Sequence, residues 1–172
     1  MPVIKIRTYP ADILNKRADE VKETDGLTQT LIDNMLETMN YRQDAIGLAA
    51  PQIGESKRVI IVDFTSFDEY KQDLIIMINP EIVYSEGTYE HTEGCLSVPN
   101  FRAPVERAGR VFVKGFNRHG NPLEIEALGF LATALQHEID HLNGILFIDR
   151  INGDDKDIFK RNYVKKRKHH LT

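Results

Sequence analysis

Residues 128–144 read LGFLATALQHEIDHLNG, with Leu128, Leu131, Leu135 and Leu142 at helical spacings and no charged residue before Glu138. Such a helix is made for burial, yet its second half carries His137, Glu138, Asp140 and His141. These groups are costly to desolvate without a metal or hydrogen-bonding partners. Any fold of this chain must therefore assemble a polar site around this helix. The helix is expected to end at Asn143 and Gly144, where glycine suits a left-handed cap.

A separation of four residues puts His137 and His141 on one helix face, one turn apart, so both rings can share one metal ion. Glu138 between them is then close enough to take a proton from water activated by that ion, which is the mechanical content of an HExxH pattern. A catalytic site needs a third protein ligand and an open position. The metzincin continuation fails, because Phe147 stands where its third histidine would fall. No glutamate follows Glu138, so the third donor lies upstream or is an aspartate. Upstream, Cys95 in Glu93-Gly94-Cys95-Leu96-Ser97 stands out: a thiolate is a strong ligand for divalent iron or zinc, and the preceding glycine permits close backbone approach. A further segment, 46–54, combines small residues with one amide, Gln52, as a close-fitting wall with a single aimed polar group would.

The remaining pattern places these segments in a fold. Leu27, Leu31, Met35 and Met39, with Ile32 and Leu36 beside them, mark an amphipathic helix over about 27–41, capped by Thr24 or Asp25. Segments 58–64 and 74–78 are short, β-branched and bounded by turn formers, as buried strands are. Segments 111–116 and 123–127 flank a polar turn at 117–121 and read as a hairpin. A last helix is expected beyond Asp154 and Asp155, over about 155–170. Strands and helices do not alternate regularly, so the expected class is α+β, with antiparallel strands around the buried helix, rather than a doubly wound sheet. The 172 residues, 41% hydrophobic and 28% charged, fit one soluble domain over 1–172. The longest apolar run is far short of the roughly 20 residues that cross a bilayer, and no secretory signal is visible. A lone cysteine forms no internal disulfide and agrees with a reducing cytoplasm. Charge is uneven: the net is −4, yet residues 156–170 hold seven basic residues and one acid. That segment is either a solvated helix end or a surface for a polyanion.

Three segments in this order, GLAAPQIG (47–54), EGCLS (93–97) and QHEIDHLNGILF (136–147), resemble the peptide deformylase family over nearly the whole chain. Each motif is weak singly and specific as a set. The resemblance implies antiparallel sheets around a central helix bearing HExxH, and a hydrolase that removes the formyl group from N-terminal formyl-methionine of new proteins. It assigns Cys95, His137 and His141 as metal ligands, Glu138 as general base and acid, and Gln52 with the Leu96 backbone N–H as oxyanion donors. It places Ile46, Gly47 and Gly94 along the substrate backbone and Arg102 near the outer end of the peptide. His91, Phe130, Thr133 and Ala134 fall at positions like those of the family's methionine pocket. Thiolate ligation and the resemblance together point to ferrous iron as the native metal, with zinc, nickel or cobalt as substitutes. Formyl-methionyl nascent peptides are the expected partners, with ribosome docking through the basic C-terminal helix, and neither membrane nor DNA. One departure is Ala45, where the family usually has glycine two residues before Gly47; a positive φ there would strain the backbone by about 1 kcal/mol. Two other readings compete. A zinc endopeptidase would cut an internal peptide bond, and an RNA-binding module led by the basic tail would use a closed four-ligand metal site to hold its fold.

Overall fold

The computed structural model describes residues 2–164. Helix α1 spans Gly26–Tyr41 and ends a long N-terminal arm. Strands β1 (Gly47–Ala49), β2 (Val59–Val62) and β3 (Ile75–Glu86) follow, then β4 (Tyr89–Cys95), β5 (Val98–Arg107), β6 (Arg110–Phe116) and β7 (Pro122–Leu128). Helix α2 spans Gly129–Leu142, and α3, Gly153–Phe159, runs into a π-helical turn at Lys160–Val164. A five-stranded sheet has the order β1-β2-β3-β6-β7, and β4 pairs with β5 in a separate ribbon; all pairings are antiparallel. The expected α+β architecture is therefore present. Helix α2 packs on β1, β2, β6 and β7 of the large sheet and on β4 of the ribbon. It brings Leu131, Leu135, Ile139 and Leu142 into a core shared with Ile60, Val62 and Met77. No helix among the described residues is long and apolar enough to cross a membrane.

Local differences from the sequence reading have identifiable causes. On α1 the buried positions are Thr28, Ile32, Met35, Thr38 and Met39, whereas Leu27 at the first turn is 82% exposed. Asp25, not Thr24, caps this helix, its carboxylate accepting from the Thr28 N–H at 3.0 Å. Strand β3 runs well past residue 78, because Asn79-Pro80 forms an irregularity rather than a stop. Asn79 has φ +51, its side chain bonds both backbone groups of Val21, and the register against β6 shifts there. Leu128 ends β7 and is exposed, not part of the buried helix face. The last helix begins at Gly153, earlier than expected, because the Asn152 side chain caps it by accepting from the Asp155 N–H. Its predicted continuation beyond residue 164 lies outside the described residues.

Candidate metal centre

Helix α2 is held at both ends, which fixes where its histidines point. It starts directly from β7 at Gly129, whose φ of +56 makes the turn and whose N–H donates to the Gly109 carbonyl at 2.9 Å. At the other end, the Leu142 carbonyl accepts from Arg58 Nη1 and from the Ala18 N–H, both at 2.8 Å. Gly144 closes the helix with φ +73, and a Cβ there would lie 2.7 Å from the Asn15 backbone, so two independent constraints demand glycine.

Within this frame the ring centroids of His137 and His141 are 5.1 Å apart. Cys95 arrives from the end of β4, where the ladder with β5 is irregular between Glu93 and Cys95. Its Sγ lies 3.4 Å from His141 Nε2, and one donor atom from each of Cys95, His137 and His141 falls within 4.8 Å of the others. Among the described residues this is the one such group that could hold a metal ion. Its chemistry fits a divalent cation. His137 Nδ1 bonds Glu93 Oε1 at 2.8 Å, leaving Nε2 for a metal in the usual carboxylate–imidazole–metal order. Burial, reinforced by the charges of His137 and Arg107, holds His141 well below the ordinary histidine range, so its ring is neutral, the form that ligates. For His137 in the metal-free site the burial penalty is outweighed by its bonds to Cys95 and Glu93, which push it well above that range, so a cation bound at Nε2 would displace a proton.

Glu138 is 6% exposed, and burial pushes its carboxyl up to about 7. Its Oε2 has no hydrogen-bond partner, leaving an acceptor for a water or substrate proton. Gly47 on β1 packs against this carboxylate: a Cβ at that position would sit 2.5 Å from Glu138 Oε1. The glycine of β1 thus makes room for the acid itself. Ala45 is not among the residues with positive φ, so the extra methyl carries no backbone strain.

A cavity of about 800 Å³ opens beside these groups. Its wall contains Ile46, Gly47, Gln52, Gly94, Cys95 and Leu96, and also His137 and Glu138. Arg102, His91, Phe130, Thr133 and Ala134 line it as well. His141 is the one site residue from the sequence reading that does not line the cavity; it is buried behind it. Phe130 stacks on His91 with centroids 4.2 Å apart, and Arg102 folds over Gly94 while donating to the Thr92 carbonyl at 3.1 Å. Gln52 is 2% exposed and held by its Oε1, which accepts from the Ala49 N–H at 2.9 Å. Its Nε2 lies 3.2 Å from Ser97 Oγ and 3.6 Å from Cys95 Sγ. The N-terminal arm stitches this wall together: the Arg7 N–H donates to the Gln52 carbonyl at 2.7 Å and the Tyr9 N–H to the Ser97 carbonyl at 2.8 Å.

Sequence reading missed a buried ionic network behind the histidines. Arg107, from the end of β5, donates through Nε and Nη2 to both oxygens of Glu93 at 2.6 and 2.9 Å, and through Nη1 to Asp140 Oδ2 at 2.8 Å. Arg150 grips Asp140 with two further bonds at 2.6 and 2.9 Å. Burial alone would raise the Glu93 pKa, but bonds from His137 and Arg107 hold it below the ordinary carboxylate range. For Arg107, burial is likewise outweighed by Glu93 and Asp140, which raise its pKa. The one sequence signal for this network was the cost of placing Asp140 on an apolar helix; nothing in the pattern of β5 marks Arg107.

A helix-borne histidine pair, a thiol brought in from a neighbouring ribbon and an acid facing a cleft define a metal-dependent hydrolase of α+β architecture. Residues 3–157 match the family model for polypeptide deformylase. The chain is 51% identical over 167 residues to a peptide deformylase of Thermodesulfovibrio yellowstonii, covering 97% of this chain and 100% of that one. A crystal structure of a peptide deformylase from Legionella pneumophila superposes with a TM-score of 0.87 at 42% identity, covering 99% and 98% of the two chains. One from Ehrlichia chaffeensis, in complex with actinonin, gives 0.86 at 36% identity, covering 96% of this chain and 98% of that one. The chain belongs to the polypeptide deformylase family.

Proposed function

We propose that this chain carries out the family's reaction, hydrolysing the formyl group from the N-terminal formyl-methionine of newly made peptides, as a single domain over 1–172. The observation that carries the residue assignment is the convergence of Cys95, His137 and His141 beside the Glu138 carboxylate at one cavity. A divalent cation held by these three, ferrous iron in the native protein, would polarise the formyl carbonyl and activate water. Glu138 takes the proton released by the attacking water and returns it to the departing peptide amine, so one carboxylate is base and then acid. Burial, which raises its pKa in the metal-free site, favours its taking up that proton. The Gln52 amide and the Leu96 N–H supply hydrogen bonds to the oxygen that gains charge. Ile46, Gly47 and Gly94 flank the peptide backbone, Phe130, His91, Thr133 and Ala134 surround the methionine side chain, and Arg102 meets the outer end of the peptide.

The test is formate release from formyl-Met-Ala-Ser by anaerobically purified protein, with metal analysis of the same sample. Formate with the peptide left otherwise intact supports the assignment, and cleavage of an internal peptide bond would instead support an endopeptidase. Cys95→Ser should weaken metal retention by roughly tenfold or more, measured by chelator competition, since a hydroxyl replaces a thiolate donor. Unchanged retention would mean that the third ligand lies elsewhere.

Acting on nascent chains, the protein would work in the cytoplasm, and its basic C-terminus would dock on ribosomal phosphates. Lys165, Lys166, Arg167 and Lys168 carry that expectation and lie outside the described residues. Removing 165–172 leaves Phe159 and Tyr163 to pack against Tyr9. This deletion should weaken ribosome binding and flatten its salt dependence by up to about four counterions, while sparing turnover of a formylated tripeptide. Equal affinity for both forms would favour a merely solvated tail.

A further inference from the structure

Gln52 can act as a donor only if its amide faces the right way, and the structure shows what decides this. The Ala49 N–H needs an acceptor, which fixes Oε1 toward the 3₁₀ turn at Ala50–Ile53 and sends the NH₂ group the opposite way. That NH₂ group carries two hydrogens. One reaches Ser97 Oγ at 3.2 Å, and Ser97 is completely buried. With that hydrogen engaged, rotation about the terminal torsion, otherwise broad, is restricted. The second hydrogen is then directed toward Cys95 Sγ, 3.6 Å away, on the cavity side of the amide. The backbones on both sides are fixed by the Arg7 and Tyr9 bonds to the Gln52 and Ser97 carbonyls, so the side-chain contact between Gln52 and Ser97 is the remaining degree of freedom.

We propose that Ser97 is a positioning residue for catalysis: its hydroxyl engages one N–H of the Gln52 amide, so that the other, which lies against Cys95 Sγ on the cavity side, is the one shared with the reacting oxygen. This rests on the assignment of Gln52 as an oxyanion donor. Ser97 also touches Cys95, but through its backbone N–H, which donates to Sγ at 3.4 Å and survives substitution of the side chain. Loss of the hydroxyl therefore loosens Gln52 and leaves the thiolate contact intact. A donor aimed at charge that develops only in the transition state affects kcat rather than KM.

The experiment is a double-mutant cycle with Ser97→Ala, Gln52→Ala and the double variant, each purified with metal and assayed on formyl-Met-Ala-Ser, with metal content and melting temperature measured in parallel. Gln52→Ala is expected to lower kcat by about 10², the loss of one oxyanion donor. Ser97→Ala should lower kcat by about tenfold with KM and metal content held. The double variant should match Gln52→Ala alone, because nothing is left to position. Three results would overturn the proposal: kcat of Ser97→Ala within twofold of the parent, losses that multiply in the double variant, or loss of metal from Ser97→Ala. If Gln52→Ala itself retains full kcat, the donor assignment falls first and takes the role of Ser97 with it. Should Ser97→Ala fail to fold, Ser97→Gly removes the same hydroxyl and carries the same cycle.

Discussion

Glu138→Gln is expected to lower kcat by about 10³-fold while the purified protein keeps its full complement of metal. The amide fills nearly the same volume against Gly47, so the cavity is preserved, but it cannot accept the proton of the attacking water or return one to the amine. A variant with more than a tenth of the parent kcat would remove Glu138 from its assigned role. The same substitution has an opposite effect on the metal-free protein. In the fold the carboxyl titrates near 7 against its ordinary 4.5, because burial disfavours the anion. A group whose folded pKa is raised in this way costs no stability below the lower value and its full penalty above the upper one. That penalty is roughly 3 kcal/mol. Chelator-treated Glu138→Gln should therefore melt higher than chelator-treated parent at pH 8, with the difference shrinking as pH falls from 7 toward 4.5. A gap that stays constant across this window would show that burial of the charge is not its origin. The acid proposed for the chemistry is thus a stability liability in the metal-free protein.

Arg107→Met is the second large effect, and it acts on the frame rather than on the reacting atoms. Glu93 and Asp140 are buried carboxylates that share this one guanidinium, and Glu93 also has His137. Removing the arginine leaves both acids desolvated with fewer partners, a change that typically costs about 3–5 kcal/mol. For a chain of this size that corresponds to roughly 10 °C in melting temperature. Metal affinity should fall by roughly 10- to 100-fold, because Glu93 would no longer be held where it orients the His137 ring. Denaturant unfolding and chelator competition measure the two effects separately. The pH dependence has a definite sign. Glu93 is depressed in the fold, so its contribution is present above its ordinary pKa of 4.5 and is lost as pH falls through the lower folded value. Arg107→Met should show a smaller acid-labile component, since the bond from His137 remains. A variant as stable as the parent at pH 7 would refute the view that this network holds the centre together.

The candidate ligand set is legible in the sequence because chemistry there conflicts with burial: two histidines and two acids on an apolar helix have few alternatives to a metal and its partners. Cys95 follows because the helix lacks a third donor of its own. The antiparallel class is legible from short strands and the turn at 117–121. The ribbon of β4 and β5 is not, since its outward positions are charged or small and its alternation is broken near Cys95. Strand β3 is read too short because Asn79-Pro80 has the local chemistry of a turn, while long-range pairing absorbs it as an irregularity. Arg107 and Arg150 are invisible for a simpler reason. An arginine on a strand or after a turn is ordinarily solvated, and only the tertiary approach of Glu93 and Asp140 turns Arg107 into a buried counter-charge and draws the exposed Arg150 onto Asp140.

The stitching of Arg7 and Tyr9 to the cavity wall has a temporal consequence. Tyr9 is itself packed edge-on against Phe159 and Tyr163, with centroids 5.5 and 6.1 Å away, so this arm is secured by α3 and the turn that follows it. Synthesis is vectorial, and those two aromatic rings emerge after His141, the last of the three candidate ligands in chain order. A growing copy therefore holds all three candidate ligands before it can brace, through those rings, the arm that supports Gln52 and Ser97.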